Sequence, residues 1–172
     1  MAWCTNTNIP YDDRNFKRIF NFYVFNCPVT IKGNKVSRRG RTFEERNITK
    51  NSLNKLYGDM RRFMPNIYFV NNEKNNTIDS LIDDFKRSKL VDNRTKGFEV
   101  VSCIENTDIR RVKTIFYHIR NAFAHGSFSV DTYNGEKFYS FECKKGDTLK
   151  GKIRLKEETL LAWIRFVESS TP

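Results

Sequence analysis

Apolar side chains at Phe16, Ile19, Phe20, Tyr23 and Val24 recur at intervals of three and four, the period of a helix with one buried stripe. Pro10 suits its first turn, Asp12 and Asp13 favour the positive end, and Cys27-Pro28 closes it. Residues 28–41 are basic and punctuated by glycine, and read as a loop or a short hairpin. A second helix is predicted over about 42–64, with Thr42 and Glu45 at capping-box spacing and Leu53, Leu56, Tyr57, Met60 and Met64 as its stripe. The stretch 65–76 ends in NNEKNN and reads as a surface loop. A third helix opens at Thr77, carries Ile78, Leu81, Ile82 and Phe85, and runs to about Leu90. The fourth is the longest. Asn106, Thr107 or Asp108 caps it, Ile109, Val112, Ile115, Phe116, Ile119 and Phe123 share its apolar face, and Gly126 stands where a C-terminal glycine belongs.

After Gly126 the period drops to two. Phe128 and Val130 alternate with polar residues, Asn134-Gly135 is a strong hairpin signal, and Phe138, Tyr139, Phe141 and Cys143 follow. Gly146-Asp147 turns into a third strand ending near Leu155, and a last helix over about 156–169 carries Leu160, Leu161, Trp163, Ile164 and Val167. The pattern predicts one domain over 1–172. It is mainly α, a bundle of four or five helices with a small antiparallel insertion at about 127–155 before the last helix.

Charge then narrows the partners. Lys and Arg total 31 against 20 Asp and Glu, a net charge of +11, which points to polyanions. Fifteen Phe and seven Tyr exclude wholesale disorder, and no apolar run approaches membrane-spanning length. Cys4, Cys27, Cys103 and Cys143 form no C-x-x-C pair and have no nearby His, so no metal or redox motif is expected. The opening MAWCTNTNIP does not read as a signal peptide, and a cytoplasmic chain with free, buried thiols is expected.

His118 and His125 are the two histidines, and both fall on the fourth helix. On a wheel with Val112 at zero, the apolar residues lie within about 60° of it, whereas Thr114, Asn121, His125, His118 and Arg111 lie between about 180° and 260°. Arg120 stands apart, about 140° from His125. The wheel predicts one face packed into the bundle and an opposite face built to meet a partner.

The run Arg120-Asn121-Ala122-Phe123-Ala124-His125, within IRNAFAHGSF, resembles the R-x(4–6)-H signature of HEPN-domain ribonucleases. The likeness extends over about residues 40–170. It implies a HEPN-like helical bundle that homodimerises, with two motif copies meeting across the interface as a composite active site. It also implies a metal-independent endoribonuclease with no cofactor, similar in role to toxins and antiphage effectors, and open to control by an antitoxin or other regulatory protein. Where some relatives carry a Tyr two residues after the His, this chain has Ser127. A second pair at permitted spacing, Arg111 and His118, lacks the surrounding Asn and small residues.

The residue types suit that chemistry. An RNA 2′-hydroxyl can attack its own phosphorus without a metal if one group moves protons near neutral pH and a cation meets the developing oxyanion. Imidazole does the first and guanidinium the second, giving 2′,3′-cyclic phosphate and 5′-hydroxyl ends. The expected catalytic residues are Arg120, His125 and Asn121, the last orienting the imidazole or bonding the phosphate. Arg111, His118, Lys32, Lys35, Arg38, Arg39 and Arg41 are candidates for tracking RNA phosphates, a solvated loop being the plain alternative for the basic segment. Tyr133, Phe138 and Tyr139 either stack bases or fill the core of the small sheet. Two other readings stay open: a module that binds RNA or a nucleotide without cutting it, and a helical interaction protein whose His/Asn stripe is a dimer seam.

Overall fold

The computed structural model describes residues 9–29, 41–70, 78–88, 97–105 and 110–170. Among these residues five α-helices pack on one five-stranded sheet. Helix α1 (Arg14–Phe20) passes into a π-helical turn at Asn21–Phe25, and is capped by the Asp13 carboxylate, which accepts from the Phe16 amide at 2.9 Å. Thr42 and Glu45 do form the reciprocal capping box, at 2.8 and 3.1 Å, but it closes only a single turn that ends with Asn47 at φ 55°. Helix α2 (Lys50–Phe63) starts afresh behind its own cap, Thr49, whose hydroxyl accepts from the Ser52 amide. Helix α3 covers Ile78–Ser88, α4 covers Arg111–Ala124, and α5 covers Glu157–Ser169. The predicted caps Asn106, Thr107 and Asp108 lie outside the described residues, as do Lys32, Lys35, Arg38 and Arg39.

The mainly helical bundle is overturned. Helix accounts for 48 % and strand for 26 % of the described residues, and the chain is mixed α/β. Strands β1 (Ile67–Val70), β2 (Val100–Ile104), β3 (Phe128–Tyr133), β4 (Glu136–Lys145) and β5 (Thr148–Lys156) lie in the order β1-β2-β5-β4-β3. β1 runs parallel to β2, and every other pair is antiparallel. The predicted meander of β3, β4 and β5 is present. Asn134 and Gly135 both take positive φ, 50° and 79°, and set Tyr133 opposite Glu136. It is not an insertion, because β5 pairs onward with β2, placing Cys103 opposite Gly151 and Val100 opposite Arg154. The sequence pattern passed over β1 and β2 for a physical reason. VVSCI is buried on both faces and so carries no alternation, and IYFV is only four residues long.

The two faces of the sheet differ in chemistry. Val101, Tyr139, Phe141, Ile153 and Leu155 face one way and join Ile19, Phe116, Ile119, Trp163 and Ile164 in the main core under α1, α4 and α5. The other face carries Ser102, Ser140, Glu142, Lys152 and Arg154, all buried, and receives α3 through Val70, Ile78 and Ile82. Among the described residues no helix is long and apolar enough to cross a membrane.

Candidate functional site

Helix α4 lies across β4 and is buried on two sides, so the middle of its supposed outward stripe is internal while Arg111 and His125 at its ends are exposed. Thr114 and His118 are covered along with the apolar residues, while Lys113, Tyr117 and Asn121 are half-buried and Ala124 and His125 exposed. The correction is geometric. A helix laid on a sheet and also flanked by other helices needs more than one buried face, and the side toward the sheet took the residues at about 200–240° on the wheel. That stripe cannot be a seam between two copies along its length.

His118 packs against β5. A Cβ placed on Gly151 would stand 3.0 Å from its imidazole, so any larger residue there would press the ring aside by a few tenths of an ångström. Cys143 Sγ donates to the His118 carbonyl at 2.7 Å, and Nδ1 of the ring is buried with no hydrogen bond among the described residues. Burial lowers the His118 pKa to about 4. The sign follows. Above pH about 6.5 both folded and unfolded chains are neutral at this position; between 6.5 and 4 only the unfolded chain takes the proton, so stability falls with pH; below 4 this contribution levels off. The loss attributable to His118 is expected to reach about 3 kcal/mol. Urea midpoints of the wild type and His118→Leu, compared at pH 7 and pH 4.5, should show the smaller acid loss in the variant.

The end of α4 is built firmly. Phe123 lies among Phe20, Phe128 and Phe141 with ring centroids 5.4, 4.8 and 5.0 Å away, which fixes the last turn. The Ser127 amide donates to the Ala122 carbonyl at 2.8 Å and the Gly126 amide to Phe123 at 3.2 Å, with Gly126 at φ 65°. This is a Schellman ending, and the glycine is required by its left-handed backbone. His125 is the residue just before it, an exposed imidazole whose own amide donates to the Asn121 carbonyl at 2.9 Å.

Arg120 is placed quite differently. It is 7 % exposed and reaches toward the end of the π-helical turn, where its charge acts on Cys27. Burial pushes the Cys27 thiol up to about 12, with the Val29 backbone and the Arg120 charge pulling against it. Among the described residues, no acceptor forms a hydrogen bond or ion pair with the Arg120 guanidinium. At about 80° on the wheel Arg120 borders the Phe116 side of the core, which accounts for its burial. Asn121 has no side-chain partner among the described residues either, and lies one turn before His125. Within one chain, then, Asn121 and His125 are neighbours at the surface, and Arg120 opens toward a different side.

The remaining candidates separate from this end of the helix. Arg111 is bound by Glu105 at 2.9 Å and lies over the Phe69 ring, 5.2 Å from its centroid, so it is not joined to His118. Arg41 is exposed on the turn before the capping box, and its carbonyl accepts from Arg46. Phe138 and Tyr139 are fully buried, and Tyr133 is half-buried with its ring against Gly97; the first two are sheet core rather than base platforms. Cys27, Cys103 and Cys143 are free and buried.

A polar network on the α3 side of the sheet escaped sequence reading. Arg154 bonds both oxygens of Asp131 at 2.8 and 2.9 Å and Ser140 at 2.7 Å, with its guanidinium 4.7 Å from the Phe138 ring centroid. Lys152 reaches Asp79 at 2.9 Å and Glu142 at 3.7 Å. The turn alone could not reveal it: Glu142 stands opposite Lys152 only because the register shifts by one residue between Cys143 and Lys144. Three carboxylates answer these two cations, so the network offers no free positive charge to a phosphate. No protein-family model, curated protein or solved structure matches this chain.

Proposed function

We propose that the chain is a metal-independent endoribonuclease acting in the cytoplasm as a toxin or antiphage effector. The observation that carries this reading is Arg120, a residue 7 % exposed whose guanidinium makes no hydrogen bond or ion pair among the described residues. A guanidinium that no carboxylate answers is free to take an arriving phosphate in a charge-assisted, bidentate contact. His125 stands exposed five residues on, and the net charge of +11 favours RNA over any neutral ligand. In this reading His125 moves the proton between the 2′-hydroxyl and the leaving 5′-oxygen, Arg120 meets the pentavalent phosphorus, and Asn121 orients the imidazole or the phosphate. Because Arg120 and His125 open to different sides of one helix, a homodimer that brings Arg120 of one protomer to His125 of its partner is the arrangement that reconciles them.

The same separation favours a second reading, a module that binds RNA without cutting it. One experiment divides the two. Purified protein incubated with a defined single-stranded RNA in excess EDTA should yield 2′,3′-cyclic phosphate and 5′-hydroxyl ends, and binding should weaken by decades between about 50 and 200 mM salt if six or more phosphates are contacted. Salt-dependent binding with intact RNA selects the module instead; flat, weak binding removes both.

A further inference from the structure

We propose that Tyr117 is a base-stacking platform that sets where single-stranded RNA is cut relative to His125, an inference resting on the ribonuclease reading above. The accessible side of α4 is narrow. Lys113, Tyr117 and Asn121 follow one another a turn apart, each half-buried, and lead to the exposed Ala124 and His125. Apart from His125 itself, Tyr117 is the aromatic side chain on that line. Its ring is held from behind by the main core and by the His118 imidazole, 5.8 Å away at 57°, so a base docking on it need not order a loose side chain. No hydrogen bond engages its hydroxyl among the described residues.

Unpaired RNA bases stack on exposed aromatic faces, and the line of α4 gives that contact a register. Tyr117 and His125 are eight residues apart, about 12 Å along the helix axis. A base resting on Tyr117 therefore belongs to a nucleotide a short step along the strand from the scissile phosphate, not to the one being cut. Lys113, paired with Glu44, stands one turn further along the same line, where the strand continues. Tyr117 acts here as a specificity residue, touching the substrate away from the reacting atoms.

The test uses an RNA of defined sequence, its 2′-O-methyl analogue and 2-aminopurine substitutions. Tyr117→Leu keeps the apolar packing and removes the stacking face, and Tyr117→Phe keeps both. The leucine variant should bind the 2′-O-methyl RNA about tenfold to a hundredfold more weakly. It should show a raised KM rather than a lowered kcat, and should scatter cuts that the wild type concentrates. The phenylalanine variant should restore all three. In the wild type, 2-aminopurine at one position near the cut should be quenched, and the quenching should vanish in Tyr117→Leu. Equal affinity for wild type and Tyr117→Leu, with no position-dependent quenching, would overturn the proposal. Because the 2′-O-methyl RNA cannot be cleaved, stacking on it without any cleavage of the natural RNA would keep Tyr117 as a platform and discard the nuclease.

Discussion

Arg120→Met is expected to lower RNA cleavage by about 10²–10³-fold, the usual loss when a donor to a developing oxyanion is removed, while leaving the protein as stable as before or more so. The two effects have opposite signs for one reason. In the free protein Arg120 is 7 % exposed and its guanidinium makes no hydrogen bond or ion pair among the described residues, so the charge adds little attraction to the fold. Methionine occupies much the same volume without charge, and replacing buried charge by apolar groups of similar size is neutral or stabilising by about 1–4 kcal/mol. Methionine is the better probe than alanine, because truncation next to Phe116 and Cys27 would open a cavity and confuse the comparison. A urea melt and a single-turnover assay on the same preparation settle the matter. A loss of stability above about 2 kcal/mol would make Arg120 a structural residue of the core wall.

Arg154 should behave in the opposite way. Its side chain is 5 % exposed, clasped by Asp131 and Ser140, with Phe138 and Phe98 rings 4.7 and 5.7 Å from its guanidinium. Arg154→Leu leaves the Asp131 carboxylate without its partner and should destabilise by about 3–5 kcal/mol, the usual cost of breaking a buried pair from one side. Removing the second charge as well, in Arg154→Leu with Asp131→Leu, should recover part of that loss, because the stranded carboxylate is then gone. Denaturant midpoints of the three variants measure this directly. A cost below about 1 kcal/mol for Arg154→Leu would show that the network contributes little to the fold.

How much of this was legible depends on which physical signal each element carries. The helices were visible because a buried stripe on a helix repeats every three to four residues, as Phe16, Ile19 and Tyr23 do and as Ile115, Ile119 and Phe123 do. The β3–β4 hairpin was visible because Asn134-Gly135 states its own turn. The sheet as a whole was not. β2 is buried on both faces, which erases alternation, and the pairing of β5 with β2 joins residues about fifty apart with no local mark. That one missed pairing turned a central strand into an apparent insertion and a mixed sheet into an apparent bundle.

The candidate site shows the same division. His125 at an exposed helix end was readable, since Gly126 marks the ending and nothing apolar follows until Phe128. The environments of His118 and Arg120 were not, because a helical wheel finds the most apolar direction and stays silent on how many neighbours the helix has. His118 packs closely against Gly151, on a strand whose pairing was unreadable.

The most direct measurement is the single-turnover cleavage rate of His125→Ala against the wild type, on the same RNA in excess EDTA. His125 is exposed, so the substitution should leave the urea midpoint within about 0.5 kcal/mol of the wild type. The account predicts that the wild type releases cyclic-phosphate ends and that the variant is slower by about 10²–10⁴ with RNA still bound. Equal rates in the two proteins, or no metal-free cleavage by either, would contradict it.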